Sequence, residues 1–432
     1  MSHYSIQTSL FYSIDYFLNV PIYKKYYAIF SNLDLSQFPN VNTDVGATGF
    51  SRHAMLRALI IQTLEHIPSI PQLIWFLSNH PVLSDLCGFK HHDIPDETQF
   101  YRFLKNIKHS LFEDLLTATN KTLVDLNIIT LKKFIIDSKP VLANTKENNH
   151  KNPSRNLKDK NCKPKRNPSA TLGYYSYQVD KHGNKTNIEF FWGYRNHAII
   201  DATSGICLVE ATLPNNRSDI QVAKTLIRKL KKIYKFKKGA LFIGDAIYDA
   251  NEFYHFIIKQ IKGKPVIPLN PRNTKNEIKL SKNGHRLCPA GLEMYPNGII
   301  TEPKRTRRKE RCPIKMSKKI AQKYNNRCPC DHEKFTSGKQ YGCTAYIDIA
   351  GDLRASVQRD TEQYKKLRAK RLAIERYFSR LQMLDMEDTP YYSPRSIKNR
   401  NTIIHLSVSL VALAAVKLGR KQDMHRYRRF AA

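Results

Sequence analysis

The chain has 432 residues and is 41% hydrophobic, too long and too apolar for a disordered segment, and long enough for two or three domains. Lysine and arginine total 71 against 37 aspartate and glutamate, a formal charge of +34. Self-repulsion on that scale makes sense beside a polyanion, so nucleic acid is the first partner to consider and an anionic membrane the second.

The opening "MSHYSIQTSLFYSIDYFLNV" has no basic start followed by an unbroken apolar run, so no secretory signal is expected. The eight cysteines do not form a compact secreted framework, and reduced thiols fit the reading of a cytoplasmic, nucleoid-associated protein. Residues 1–130 read as helical. "SRHAMLRALIIQTLEHI" places Met55, Leu56, Leu59, Ile60, Leu64 and Ile67 at helical spacing. "PQLIWFLSNH" begins on Pro71, suited to a first helical turn. "DETQFYRFLKNI" offers Asp96 as N-cap with Gln99 three residues on. Short helices with tight connections fit either a helix-turn-helix or a plain helical bundle.

A strand pattern starts with "KKFIIDS", read as ending in Asp137. Residues 145–170 are polar and basic without periodicity and read as a loop, either solvated or touching DNA backbone. "IEFFWGYRNHAIIDA" and "GICLVEATLP", joined by "DATSG", read as an antiparallel hairpin. Helix "DIQVAKTLIRKLKKIY", strand "GALFIGD", helix "ANEFYHFIIKQI" and strand "KPVIPLN" follow. Asp245 then ends the fourth strand, and Asp249 is the better placed of the two to cap the next helix. A polar, basic, cysteine-bearing stretch reads as an insertion. After it, "TEQYKKLRAKRLAIERYFSRLQ" reads as one helix. "TIIHLSVSLVALAAVKLG" is too short to span a bilayer and reads as a buried helix, so no membrane is expected. A basic tail closes the chain.

Carboxylates at two strand ends and on a late helix are an oxygen donor set suited to Mg²⁺ or Mn²⁺. Two such ions activate an attacking hydroxyl and stabilise the leaving oxygen of a phosphodiester. Each acid also has a local reading: Asp137 as a turn residue, Asp245 as a cap, Glu375 as an ion-pair partner of Arg371. In the insertion, Cys288, Cys312, Cys328, Cys330 and Cys343, with His332 nearby, are either a zinc set or scattered thiols. "KRTRRKERCPIKMSKK", with Arg305, Arg307 and Arg308, is either a phosphate-backbone contact or a solvated charge run.

The ordered set of motifs resembles the DDE transposases of bacterial and archaeal insertion sequences over most of the chain. "FIIDSKPV" resembles the family's first Asp motif, "GDAIYD" its second, and "RLAIERYFSRLQ" the signature around its Glu. "FWGYRNHAIIDATSGICLVEATLPNNRSD" resembles its second and third strands, and "GFSRHAMLRALIIQTLEHIPSIPQLIWFLSNHPVL" its helical N-terminal region. Two positions depart from it. Arg368 stands where a Tyr is frequent, seven residues before Glu375, the nearest Tyr being Tyr364. Gln382 stands where a Lys is frequent, seven residues after it.

The resemblance implies an α/β fold: a ribonuclease H-like mixed sheet flanked by helices, an all-helical N-terminal domain, and a basic insertion before the last catalytic helix. The expected segments are a DNA-binding region at 1–130, the first part of the core at 131–271, the insertion at 272–360, and the last helices and tail at 361–432. Asp137, Asp245 and Glu375 would be catalytic and hold two Mg²⁺ or Mn²⁺ ions. Arg371, Arg376, Arg380, Gln382 and the insertion arginines would contact DNA. The partners would be double-stranded DNA, as terminal inverted repeats and target, and a second copy on paired ends. A ribonuclease H-fold nuclease without strand transfer and a decayed DNA-binding protein are the alternatives.

Overall fold

The computed structural model describes residues 19–41, 49–89, 93–149, 151, 159, 163–179, 185–270, 280–303, 305–337, 342–349, 351–427 and 430. The opening segment, much of the basic stretch at 145–170, residues 271–279 at the start of the insertion, and the end of the tail lie outside the described residues. Helices α1 (Pro21–Phe30), α2 (Arg52–Leu64), α3 (Ile70–Ser78), α4 (Pro81–Cys87), α5 (Glu97–Asn106) and α6 (His109–Asp125) come first. Strands β1 (Lys133–Leu142), β2 (Thr171–Val179), β3 (Lys185–Asp201) and β4 (Cys207–Pro214) follow. Then come α7 (Asp219–Tyr234), β5 (Leu241–Ile243), α8 (Asn251–His255), which continues into a π-helical turn, and β6 (Lys264–Val266). The insertion holds β7 (Tyr295–Glu302), β8 (Arg305–Arg311), α9 (Pro313–Met316), α10 (Lys318–Lys323), α11 (Glu333–Thr336) and β9 (Thr344–Asp348). Helices α12 (Glu362–Ala369), α13 (Leu372–Gln382) and α14 (Pro394–Lys417) close the order. This is a mixed α/β fold. No described helix is long and apolar enough to cross a membrane.

The chain forms two compact units from separated stretches: 1–130, 138–217 and 376–432 in one, 131–137 and 218–375 in the other.

In the first unit the cap read at Asp96 is made, and Ser51 makes a second that the sequence reading did not name. Ser51 accepts from the Ala54 amide and Asp96 from the Gln99 amide, each satisfying a donor the helix leaves unpaired. Helix α14 is buried on all sides from Thr402 to Ala415, which explains its apolar run. Its polar residues are paired. Asn399 donates to the Leu104 and Ile107 carbonyls, closing the end of α5. His405 bonds the Tyr377 hydroxyl at 2.5 Å and Asn196 at 3.2 Å, and Thr402 donates to the buried Glu210. Burial pulls the His405 pKa down. The hairpin read around "DATSG" is β3–β4, with Asp201 accepting the Thr203 and Ser204 amides and Gly205 at a φ of +66°. Strand β2, which pairs with the first half of β3, was not expected.

In the second unit Lys133–Ile135 of β1 run parallel to Leu241–Ile243, and β5 runs parallel to β6. Helix α7 buries one stripe: Val222, Ala223, Leu226, Ile227, Leu230 and Tyr234. Within the first unit β3 pairs with β2 and with β4, and within the second β5 lies between β1 and β6. The insertion forms a separate antiparallel sheet, β7-β8-β9.

Candidate active site

The parallel register brings two acids together. Ile135 pairs with Ile243, and Asp137 and Asp245 each lie two residues further along. Side chains two apart on a strand share a face, and neighbouring strands are about 4.8 Å apart. Asp137 does not end its strand as expected: β1 continues to Leu142. Asp245 follows the fifth strand rather than the fourth, because β2 precedes it. Past Ile243 the chain turns sharply. Asp245 accepts the Ile247 amide at 3.0 Å and caps a single 3₁₀ turn. The ring of Tyr248 packs against Gly244, where a Cβ would stand 2.9 Å from it. Glycine at 244 therefore lets the aromatic ring hold the turn that presents Asp245.

Glu375 lies in the first turn of α13 and is exposed. The helix expected over 361–382 is broken between Ala369 and Leu372, and Arg371 sits in the break. Its guanidinium donates to Glu375 Oε1 at 2.5 Å and to Asp137 Oδ2 at 2.9 Å. Burial alone would lower the Arg371 pKa. Asp137, Asp245 and Glu375 together overcome that and raise it, so Arg371 stays charged. All three acids thus act on one cation. Asp245, Pro268, Lys365, Arg368, Arg371 and Glu375 line an adjoining hollow of about 600 Å³. Lys365 is a contribution sequence reasoning passed over, and Arg368 entered it only as a departure from the family pattern. In a run so basic, nothing local separates a lining cation from a solvated one.

Asp249 is not a helix cap. The residue before α8 is Ala250, which makes no side-chain cap bond. Asp249 is fully buried, accepts the Asn270 amide at 2.8 Å, bonds Tyr254 and lies 3.9 Å from Arg354. Arg359 completes the cluster, donating to the Tyr254 hydroxyl at 2.8 Å and to the Ile267 carbonyl at 2.9 Å.

The expected DNA-contacting residues divide. Arg308 is buried and cannot touch DNA: it donates to Glu310 at 2.9 Å and to the Gly284 and Ala355 carbonyls. It faces inward because alternate residues of a strand point to opposite sides. Arg305 and Arg307 remain more accessible, both bonded to Glu302, with Arg307 also over the Tyr346 ring. Arg376 is exposed; Arg380 is half-buried and interacts with Tyr427. Exposed Gln382 accepts from Lys139 Nζ at 3.2 Å, so a lysine two residues after Asp137 stands beside it.

Cys288, Cys312 and Cys343 are buried in one core, with Cys330 packed against it and Cys328 3.2 Å from Cys330. His332 shares a hollow with Cys288 and Cys343. Among the described residues no three His, Cys, Asp or Glu side chains close into a metal-holding group.

Residues 130–410 match the family described as Transposase DDE domain, and residues 12–106 match Transposase domain (DUF772). No protein with a curated description matches. A cryo-EM structure of a piggyBac transposase synaptic complex with hairpin DNA aligns at 10% identity, covering 94% of this chain and 78% of that one. Its TM-score of 0.38 is too low to carry a structural argument. The first match spans well over half of the sequence, and the chain belongs to the Transposase DDE domain family, as an insertion-sequence transposase of the DDE type.

Proposed function

We propose that this transposase cuts the DNA ends of its element and joins them to target DNA, with Asp137, Asp245 and Glu375 as the catalytic carboxylates of a ribonuclease H-like core. The observation that carries this reading is the bonding of Asp137 and Glu375 to the one Arg371 guanidinium, with Asp245 lining the same hollow as Arg371 and Glu375. Such a concentration of negative charge is costly unless a cation compensates it. The parallel β1-β5-β6 strands of one unit and the antiparallel β2-β3-β4 ribbon of the other support the fold assignment.

The donor set is all carboxylate oxygen, which fits Mg²⁺ or Mn²⁺. When bound, two such ions would supply activation of the attacking hydroxyl and charge compensation at the leaving oxygen. The residues of the chain do the rest. Strand β1 fixes Asp137, and the tight turn after β5 fixes Asp245. Lys365 and Arg368 line the hollow and would hold backbone phosphates. Arg371, freed from its carboxylates, would turn to the phosphate nearest the reacting bond. The test is a labelled terminal-repeat duplex incubated with Mg²⁺ or Mn²⁺ and a target plasmid. Joined product is expected. Cleavage without joining would leave a nuclease, and binding without cleavage a decayed enzyme.

Arg371→Ala should lower the rate of cleavage about 10²-fold, the usual loss when one positioned charge donor is removed. It should also increase the melting-temperature rise produced by Mg²⁺, because the carboxylates no longer have their internal cation. An unchanged response to Mg²⁺ would count against the assignment.

Recognition of the terminal repeats, by two copies on paired ends, is assigned to the N-terminal helices. Helices α2, α5 and α6 pack on α14 within one unit, so truncating them would uncover an apolar helix. Surface changes are the cleaner probe. Replacing exposed Arg102 and Lys105 of α5 with Ala should reduce preference for repeat over random DNA about tenfold. Competition binding at fixed salt measures this, and undiminished preference would move recognition elsewhere.

A further inference from the structure

The insertion contains a small core of its own: Cys288, Met294, Cys312, Ile314, Ala321 and Cys343. Half of it is cysteine. Around that core, β7 is largely exposed and α9, α10 and α11 are single turns or little more. Partly buried side chains such as Leu292, Ile320, Tyr324 and Phe335 close around that core, and a core this small is commonly tied together by a disulfide or a metal. No disulfide joins the described cysteines.

The thiols come from four separate places. Cys288 opens the turn "CPAG", where the Gly291 amide donates back to its carbonyl at 2.8 Å. Cys312 ends β8, Cys330 lies between α10 and α11, and Cys343 precedes β9. The Cys312 amide donates to the Cys343 carbonyl at 2.9 Å, tying two of these places together. Cys343 is hydrogen-bonded through its sulfur to Cys312, with Cys330 and Cys288 close enough to act on it electrostatically. The sulfur of Cys312 accepts backbone amides of Ile314 and Lys315, and that of Cys330 accepts the Ala290 amide.

From this convergence we infer that Cys288, Cys312, Cys330 and Cys343 bind one Zn²⁺ ion, which holds the insertion in its fold. The sulfurs share a core without closing on one point, as neutral thiols hydrogen-bonded to each other do. Zinc would displace their protons and take the place of the Cys312–Cys343 contact. Cys328 is left out, because the thiol it approaches is Cys330. The inference stands apart from the carboxylate site and does not depend on it.

The test uses the full chain, purified reduced without added metal or chelator. Elemental analysis should find close to one zinc per chain, and Co²⁺ exchange should give the absorption of a tetrahedral thiolate site. Cys328→Ser should keep the zinc; Cys288→Ser and Cys343→Ser should lose most of it. Should the latter two not fold, the parent decides. Removal of its metal by a chelator should open the 280–360 segment to protease, and added Zn²⁺ should close it. Folded, protease-resistant protein without metal, a Cys312–Cys343 disulfide, loss of zinc from Cys328→Ser, or undiminished zinc in Cys343→Ser would each overturn the inference.

Discussion

Asp245→Asn should keep its fold and its affinity for DNA while cleavage and strand joining fall by several orders of magnitude. Asn preserves the cap on the Ile247 amide, so the turn after β5 should survive. What is lost is a charged oxygen ligand at the position where the proposed chemistry needs it. Asp137→Asn and Glu375→Gln should behave alike, since Arg371 retains the remaining acids as partners in each case. Removing a negative charge beside a polyanion should leave binding unchanged or slightly tighter. A labelled terminal-repeat duplex with Mg²⁺ or Mn²⁺ reports cleavage and joining, and circular dichroism reports the fold. An Asp245→Asn protein that cuts and joins like the parent would refute the proposed site.

Four residues on, Asp249→Ala should do the reverse: a large loss of stability, with activity largely retained in the molecules that remain folded. Removing one member of a buried ionic cluster leaves the others without compensation, a cost of about 3–5 kcal/mol. For a unit of this size that lowers the melting temperature by roughly 6–20 °C. A helix-cap role would predict only about 1 kcal/mol. Burial raises the Asp249 pKa, against the opposing pull of the Asn270 amide, Arg354 and Arg359. A carboxyl whose folded pKa is raised contributes most below its unfolded pKa and loses that contribution as pH rises through the folded value. The stability gap between parent and variant should therefore widen toward acid. Thermal melts of both proteins across the acid range measure it. A melting point close to the parent's would show that the cluster does not stabilise the unit.

Much of this was legible along the chain. Helices α2 and α5 carry their caps and apolar spacing within a dozen or so residues. The hairpin β3–β4 announces its turn, and α7 its buried stripe. The order of the acidic motifs carries the family resemblance. All of these depend on residues near one another in sequence, where backbone preference and periodicity operate. Other features depend on partners far away. Asp137 lies within a strand because β1 goes on beyond the residues that pair with β5, and no local pattern marks where one partner stops. Arg371 interrupts a sequence that reads as a single helix, and its bond to Asp137 reaches across 234 positions. Asp249 looks like a cap beside Asn251 but is enclosed by Tyr254, Arg354 and Arg359. Arg308 looks like any other cation of a basic run until the strand's alternation turns it toward Gly284 and Ala355. In these cases the chemistry of the side chain was known from the sequence, while burial and partner were decided by tertiary packing. A charged group has the same local pattern whether it faces water or a buried counter-charge, and the cost of desolvation arises only when the fold closes over it.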